Sequence, residues 1–416
     1  MPDSAAPSPA MSSAACIVWG PELSPFLLKL ESMLVHHGVA WRRLPRDGTR
    51  LENVRVSLRI RRAVRTRTAL RPPANDVLDE YPLVPFLLTE SGAVLYDSTA
   101  LASWLDQRDA DRSQPLVPVD PAARFVAALI DEAFDEFGLY MVHHNRWKLA
   151  AADNDSPGAR LAREYARLLP PASSRLFAQW FARRQVRRLP YLFSVAPDGY
   201  RVAGLSAPLT PPARPGFPPT HDLLEEAWRR YLRAIETVLE EQPFLLGPAF
   251  TLADASAYGQ LSMNLTDGLA ARRLRELAPR TFDWLVSIRE RRHAGTRGEP
   301  VLAPCLQSLL EVVMATYVPL MQANAAACAE LLARGEPSFN EKAFDKGRGL
   351  FDGELLGHRY RSVARSFQAR SWRDLCALWS ALDSDAKRQI AGLVPGDPLD
   401  ATFVAPAVAF GAGASG

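Results

Sequence analysis

Cysteine is scarce in this chain, and the cysteines are not arranged as redox or metal chemistry requires. The sequence has 416 residues and four cysteines, none in a CxxC pair and none at a zinc-ligand spacing from a histidine: Cys16, Cys305, Cys328 and Cys376. Dithiol redox motifs and structural zinc sites both depend on such spacings, so the sequence argues against these two classes. We expect four free thiols, a reducing compartment and no metal.

Long apolar runs and a large net charge are missing as well. No stretch approaches the roughly 18 apolar residues of a membrane span, and the opening MPDSAAPSPAMSSAA lacks the basic start and apolar run of a signal peptide. The net charge of +3 is small for this length, so it attracts no polyanion by itself. We therefore expect a cytoplasmic protein without a membrane or a nucleic-acid partner.

What remains is the composition of a folded protein with two or three domains. Hydrophobic residues make up 48% and charged residues 23% of the chain, and the length exceeds that of one ordinary core. The small, polar residues 1–14 and the Gly/Ala-rich residues 401–416 cannot bury enough apolar surface to order themselves, so we expect both ends to be disordered.

The first hundred residues are patterned as a small mixed sheet with helices. A strand, a helix and a second strand follow one another, which predicts a parallel pair with a crossover connection. Glu90-Ser91-Gly92 then joins two short strands as an antiparallel hairpin. The predicted elements are strand 15–19, helix 25–37, strand 39–44, hairpin strands 84–88 and 93–96, and a helix that begins at 97 or 98.

Nearly everything after Pro121 has the helical period of apolar residues. A proline-rich loop is expected at 190–219, and a turn or linker at 295–304. The predicted helices are one long helix from 121 through Tyr140, then 159–169, 172–189, 221–241, 251–266, 280–293, 305–334 and 359–393. We divide the chain into an α/β domain at 15–110 with an insertion at about 44–80, an all-α domain at 118–294 and a further helical region at 300–400.

Three short motifs stand out within these elements. Val84-Pro85 precedes a hairpin strand, where proline fixes a kink because its peptide bond costs only about 0.5 to 1 kcal/mol to hold in cis. Asp97-Ser98 follows the hairpin at a helix N-terminus, where free N–H groups favour an anion. Thr251 and Asp254 have the spacing of a capping box, and replacing Asp254 with alanine should cost about 1 kcal/mol, or more if the box is buried. Plain turn and capping roles remain open for the first two motifs.

Taken together, the order of elements and these motifs resemble the cytosolic glutathione S-transferase family. The resemblance covers residues 15–293 and implies a thioredoxin-like domain followed by an all-α domain. It implies a cis bond before Pro85, with the main chain of Val84 pairing the cysteinyl backbone of glutathione as an added strand would. It further implies that Ser98 binds the γ-glutamyl carboxylate and that Asp97 contacts the ligand's amine. Glutathione is thus the expected co-substrate, and a homodimer is typical of such relatives.

The chemistry requires a group that favours the thiolate of glutathione near neutral pH. Ser24 caps the first helix, where family members place a Ser, Tyr or Cys, so a catalytic hydrogen bond from Ser24 is the prediction and simple capping is the alternative. Lys29 lies one turn further on, and we expect it to face solvent. Serine rather than cysteine at position 24 argues against mixed-disulfide chemistry.

A second substrate would lie between the two domains. Tyr140, His144 and Trp147 share one face of a helix at i, i+4 and i+7, so we predict that they form its wall, with core packing as the alternative. The neighbouring pair His143-His144 lacks a third ligand at a suitable spacing, which again predicts no metal.

The sequence also contains two arginine-rich segments. Residues 50–71 contain eight arginines and one glutamate, which suits either an anion-binding arm or a solvated helix with Leu51, Val54, Leu58 and Val64 packed inward. Arg183, Arg184, Arg187 and Arg188 form a second patch. Neither segment has the aromatic interleaving of a nucleic-acid surface.

The sequence thus predicts a glutathione transferase that conjugates the thiolate to an electrophilic small molecule. Two alternatives stay open: a non-catalytic binding or interaction module with the same fold, and a glutathione-dependent lyase or reductase.

Overall fold

The computed structural model describes residues 15–66, 68–69, 84–108, 114–149, 157–170, 172–336, 340–394, 396 and 398–404. The disorder expected for 1–14 and for 405–416 concerns residues outside these ranges, as does the part of the expected insertion at 70–80.

The N-terminal domain is a four-stranded mixed sheet in the order β2-β1-β3-β4. β1 pairs parallel to β2, and β3 pairs antiparallel to both β1 and β4, as the crossover and hairpin patterns predict. The strands are β1 Cys16–Trp19, β2 Trp41–Leu44, β3 Phe86–Leu88 and β4 Val94–Tyr96, and the helices are α1 Pro25–His36, α2 Arg50–Arg65 and α3 Ser98–Arg108.

Residues Arg50–Arg65 of the arginine-rich segment form a regular helix, α2, against one face of this sheet. Thr49 and Glu52 form a capping box at the start of α2. Its inward residues are Val56, Ile60 and Ala63, which pack on strand residues such as Phe86 and Leu88. Of the four residues expected to pack inward, Val64 packs against this core, but the expected burial of Leu51, Val54 and Leu58 is wrong, because all three are exposed. The helix is rotated so that a shorter apolar set, which includes the small Ala63, faces the sheet.

The second domain is all-helical, as predicted, and is built around the opposite face of the sheet. Val18 and Leu87 of the sheet and Leu30 of α1 join its core. Its helices are α4 Pro121–Glu132, a π-helix at Ala133–Gly138, α5 Leu139–Leu149, α6 Pro157–Glu164, α7 Ser174–Arg187, α8 His221–Glu241, α9 Leu252–Leu261, α10 Gly268–Leu277 and α11 Pro279–Arg289.

Two features of this domain differ from the sequence prediction. The single long helix through Tyr140 is interrupted by the π-helix, which inserts an extra residue into the turn and rotates everything that follows. Helix α10 was not predicted, because only Ala270 and Leu274 are buried in it and its apolar period is correspondingly faint.

The C-terminal region is mostly helical but contains a hairpin that the helical prediction for 359–393 missed. Strands β5 Leu350–Leu355 and β6 His358–Val363 pair antiparallel, because Gly357 with a φ of 78° closes a tight turn between them. The helices are α12 Gln307–Ala315, α13 Tyr317–Ala333, α14 Glu341–Asp345, α15 Ser366–Ser380, α16 Ser384–Ala391 and α17 Leu399–Thr402.

This region covers α4 and forms part of the same core as the helical domain. Phe125 of α4 lies with its ring centroid 5.1 Å from that of Trp379 and 5.1 Å from that of Phe403. Phe403 is buried, so the disorder expected from residue 401 onward is wrong for 401–404, which α17 and this aromatic contact order.

One segment, Pro304–Ala333, is long and apolar enough to cross a membrane by length and composition, although the sequence prediction found no such stretch. The segment is divided at Thr316, which has a φ of −126°, and 56% of its most apolar window is buried inside the protein. Core helices of globular proteins have these properties too.

Candidate functional site

Three segments that are remote in sequence meet at one edge of the sheet. Trp19 at the end of β1 pairs with Phe86 at the start of β3, and Phe86 pairs with Tyr96 at the end of β4. The loop after β1, the Val84-Pro85 step before β3 and the Asp97-Ser98 step after β4 therefore lie side by side. The Val84-Pro85 bond is cis, as the resemblance implies.

Ser24 bridges the first two of these segments. Its side chain caps α1 by accepting from the Leu27 N–H at 3.4 Å, and its hydroxyl donates to the Val84 carbonyl oxygen at 3.3 Å. The Val84 carbonyl oxygen, which the resemblance assigns to the backbone of glutathione, is thus already paired within the protein. Both bonds are long, so the hydroxyl is held at the N-terminus of α1 by contacts that a ligand can replace.

Asp97 and Ser98 build the start of α3. Asp97 has a φ of 80°, which is uncommon for a residue with a side chain and typical of ligand-binding sites. Its Oδ1 accepts the N–H groups of Thr99 and Ala100 at 3.1 and 3.2 Å, so Asp97 caps the helix. Ser98 is the first residue of α3 and is buried. The helix start keeps the anion-favouring dipole that the motif predicts.

Lys29 is the largest departure from the sequence prediction, because it is buried instead of solvated. Its Nζ lies 2.6 Å from Asp131 Oδ1, 2.7 Å from Asp135 Oδ2 and 2.8 Å from Thr99 Oγ1. Thr99 also donates to Asp131 Oδ2 at 2.9 Å, and Ser256 of α9 donates to Asp131 Oδ1. The cluster joins α1 and the start of α3 to the helical domain, and its member in α3, Thr99, is the residue after Ser98.

The pKa values of the charged groups in this cluster depend on one another. Burial acts to lower the pKa of Lys29, but Asp131 and Asp135 outweigh it, and the pKa lies above its ordinary value. Burial raises the pKa of Asp135 to about 7, with Lys29 opposing and Asp131 adding to the shift. Lys29 therefore stays charged, and burial disfavours the charged form of Asp135 while Lys29 favours it.

The helical domain also holds the loop that carries Ser24. Arg146 of α5 donates to the Leu23 carbonyl oxygen at 2.7 Å and contacts Met263 Sδ. Burial lowers the pKa of Arg146 to about 10, while Asp267 counteracts the shift. On the other side, the Glu22 N–H donates to Glu164 Oε2 of α6 at 2.9 Å. These contacts hold Glu22 and Leu23, which precede α1, against α5 and α6.

The predicted substrate wall is buried within the helical domain. Tyr140 stacks on Phe193 at a centroid distance of 5.2 Å, and His144 Nδ1 lies 2.9 Å from Ser194 Oγ. Trp147 packs in a small cluster with α7. All three side chains are no more than 2% exposed, and Gln368 of the C-terminal region also donates to the Tyr140 hydroxyl at 2.8 Å. The packing alternative accounts for these contacts.

Sequence reasoning missed Arg146 and the Lys29 cluster. Arg146 lies in the same helix as His144 and Trp147 but on another face, and the π-helix upstream changes which face meets the Ser24 loop. One signal for the cluster was present in the sequence: Asp131 and Asp135 are spaced i, i+4 on a predicted helix, and each follows an apolar residue, Ile130 and Phe134. A paired carboxylate on an apolar face requires a buried cation.

Among the described residues, no group of three or more His, Cys, Asp or Glu residues is arranged to hold a metal ion. His144 faces the ring of His221 at 4.6 Å, and burial, followed by His221, lowers the pKa of His144, so its imidazole is neutral.

Comparison with known proteins adds one family match. Residues 178–286 match the family model described as glutathione S-transferase, C-terminal domain. No curated protein matches the sequence.

Solved structures similar to this chain include several glutathione S-transferases. The beta-etherase LigF of Sphingobium sp. strain SYK-6 is 16% identical, with a TM-score of 0.38, and the alignment covers 71% of this chain and 99% of that one. A glutathione S-transferase of Ceriporiopsis subvermispora in complex with glutathione is 16% identical, with a TM-score of 0.41 and coverages of 67% and 97%. A glutathione S-transferase of Methylobacillus flagellatus with glutathione bound is 15% identical, with a TM-score of 0.35 and coverages of 69% and 100%. None of these likenesses transfers a reaction to this chain.

Proposed function

We propose, since this chain is a member of the glutathione S-transferase family by its C-terminal domain, that it binds glutathione and transfers the thiolate to an electrophilic carbon of a small molecule. The observation that carries the proposal is the meeting of Ser24, Val84 and the start of α3 at one sheet edge. One tripeptide can then contact three groups at once. These are a hydroxyl that donates to its thiolate, a main-chain segment that pairs with its extended backbone and a helix N-terminus that binds its carboxylate.

The γ-glutamyl end of glutathione is assigned to the start of α3. The Ser98 hydroxyl at the start of the helix suits its carboxylate, because a helix N-terminus carries positive potential. Asp97 orients this turn through its two capping bonds. A contact between Asp97 and the ligand's amine stays a prediction. The Lys29 cluster supports the turn through Thr99 from the side away from the ligand.

The cysteinyl part is assigned to Val84. The cysteinyl N–H of glutathione donates to the Val84 carbonyl oxygen as in an added strand. It thereby replaces the Ser24 hydroxyl, which donates to this oxygen in the free protein. The Ser24 hydroxyl is then released to donate to the ligand's sulfur. Binding of the peptide backbone and activation of the thiol are coupled in this way.

The thiolate is stabilised locally and not by a free cation. Lys29 is neutralised by two aspartates, so it offers no unpaired charge to the sulfur. The Ser24 hydroxyl and the N-terminal end of α1 supply the stabilisation, since both favour the anion over the thiol.

The reductase alternative lacks a suitable protein thiol. All four cysteines are free and buried, and burial raises the pKa of Cys16, the cysteine nearest to Ser24 in sequence. A raised pKa disfavours the thiolate that disulfide exchange requires.

Replacing Ser24 with alanine tests the activation step. We expect kcat/KM for glutathione and a generic aryl halide to fall by about 10- to 100-fold, because a hydrogen bond to a charged group contributes roughly 1.5 to 3 kcal/mol. The pH profile should shift upward as the bound thiol loses its donor. Ser91→Ala, on the exposed hairpin turn, is the matched control and should retain the wild-type rate. A Ser24→Ala variant with full rate and an unchanged pH profile rules out this role.

A further inference from the structure

The outward face of α2 combines apolar and basic side chains. Leu51, Val54 and Leu58 are 59%, 40% and 58% exposed, and their spacing of three and four residues aligns them on one side of the helix. Exposed arginines flank this stripe on both sides: Arg55, Arg61, Arg62 and Arg65. The only acidic residue of α2, Glu52, is paired with Arg42.

Helix α7 repeats this pattern. Leu176 and Trp180 are 70% and 54% exposed at i, i+4, and the helix contains no acidic residue. Exposed arginines continue the same side of the helix toward its C-terminal end: Arg183, Arg184 and Arg187, of which Arg187 also lies 4.0 Å from Glu341. The guanidinium of Arg184 lies 5.7 Å from the centre of the Trp180 ring. Large apolar side chains are thus kept at the surface among cations on two separate helices.

The two helices are joined near their N-terminal ends. Arg50 at the start of α2 donates to the Leu169 carbonyl oxygen at 2.8 Å, and Arg167 donates to the Gly48 carbonyl oxygen at 3.0 Å. Leu168 packs against the core beneath α2. These contacts join residues 167–169, which precede α7, to the N-terminal end of α2.

We propose that the outward faces of α2 and α7, here called the basic-apolar surface, dock on an anionic lipid bilayer. Arginines at the headgroup level gain from the negative surface potential, and leucine and tryptophan side chains gain from burial at the boundary with the acyl chains. This is peripheral attachment and requires no membrane span, and it does not depend on the proposed glutathione chemistry.

A bilayer suits this surface better than the other candidate occupants. A second copy of the chain would bring two sets of arginines together in a symmetric contact, which their like charge opposes. A nucleic acid supplies phosphates for the arginines but no apolar phase for Leu51, Val54 and Leu58. An anionic bilayer supplies both: charged headgroups for the arginines and an apolar interior for the leucine and tryptophan side chains.

Flotation of the full-length protein with lipid vesicles tests the proposal. We expect binding to vesicles of phosphatidylcholine with about one-third phosphatidylserine, little binding to phosphatidylcholine alone, and release when salt rises from about 0.1 M to about 0.5 M. The Arg62→Gln/Arg65→Gln variant should bind about 10-fold or more weakly. The Leu51→Ser/Leu58→Ser variant should also lose about 10-fold or more. Because all four side chains are exposed, both variants should keep the wild-type melting temperature.

Matched changes elsewhere on the surface provide the controls. Leu277→Ser on α10, at a position 45% exposed, and Arg292→Gln, where the side chain is 61% exposed, should leave vesicle binding unchanged. Equal binding to neutral and anionic vesicles, or full binding by the leucine variant, overturns the proposal. So does an absence of vesicle binding together with tight binding of a duplex oligonucleotide, which would make the surface a nucleic-acid site.

Discussion

Replacing Lys29 with methionine is expected to lower the free energy of unfolding by about 3 to 5 kcal/mol, because removing one partner of a buried ion pair leaves an uncompensated charge. Lys29 and Asp131 are each 1% exposed, so water cannot take over the role of the ammonium group. The change also withdraws a partner from Thr99 at the start of α3. Urea denaturation of the purified variant measures the loss.

An exposed pair provides the comparison for Lys29. Lys387 lies 2.8 Å from Asp400, whose side chain is 77% exposed, and Lys387→Met should cost less than about 1 kcal/mol. Adding Asp135→Asn to Lys29→Met should recover part of the loss, since it removes one of the two orphaned carboxylates. Equal stability of Lys29→Met and Lys387→Met would show that the cluster is not a buried charge network.

Replacing Asp254 with alanine is expected to cost about 3 to 5 kcal/mol, well above the value for an ordinary helix cap, because it strands several buried donors at about 1 to 3 kcal/mol each. Asp254 Oδ1 accepts the Leu245 N–H at 2.7 Å, and Oδ2 accepts the N–H and hydroxyl of Thr251 at 2.9 and 2.8 Å. Both residues of the box are fully buried, so no solvent replaces these bonds. Thermal and chemical denaturation should agree on the loss.

A solvent-facing cap is the matched control for Asp254. Asp383 caps α16 by accepting the Ala386 N–H at 2.8 Å, and it is exposed. Asp383→Ala should cost about 1 kcal/mol. A loss at Asp254 no larger than that at Asp383 would mean that the box acts only locally and does not hold the Phe244–Pro248 turn against α9.

The fold was largely predictable, because each domain has a clear local signal. In the N-terminal sheet, short apolar strands, a Ser-Pro helix start and a Glu-Ser-Gly turn mark the elements. In the helical domain, α8 has the bounds that its apolar period predicts. The β5–β6 hairpin was missed because its strands mix charged and apolar residues, as in Leu350–Leu355. Their packing on α13, which precedes them in the chain, also stabilises them, and no local pattern in the sequence shows this contact.

The site was predictable only where a motif defines a backbone feature. The positions of Ser24, Val84-Pro85 and Asp97-Ser98 follow from strand ends, which sequence patterns locate well. The surroundings of Lys29 do not, because its two carboxylate partners lie about a hundred residues away. The face on which Tyr140 and His144 lie also escapes prediction, since one π-helical turn rotates it.

Titration calorimetry with glutathione on the wild type and on Ser98→Ala shows whether this sheet edge is the glutathione site. We expect the wild type to bind and the variant to bind about 10-fold or more weakly, because the variant loses a hydrogen bond to the charged γ-glutamyl carboxylate. Ser91→Ala should bind as the wild type does. Undiminished affinity in Ser98→Ala, or a wild type that binds no glutathione, would contradict the assignment of this sheet edge as the glutathione site.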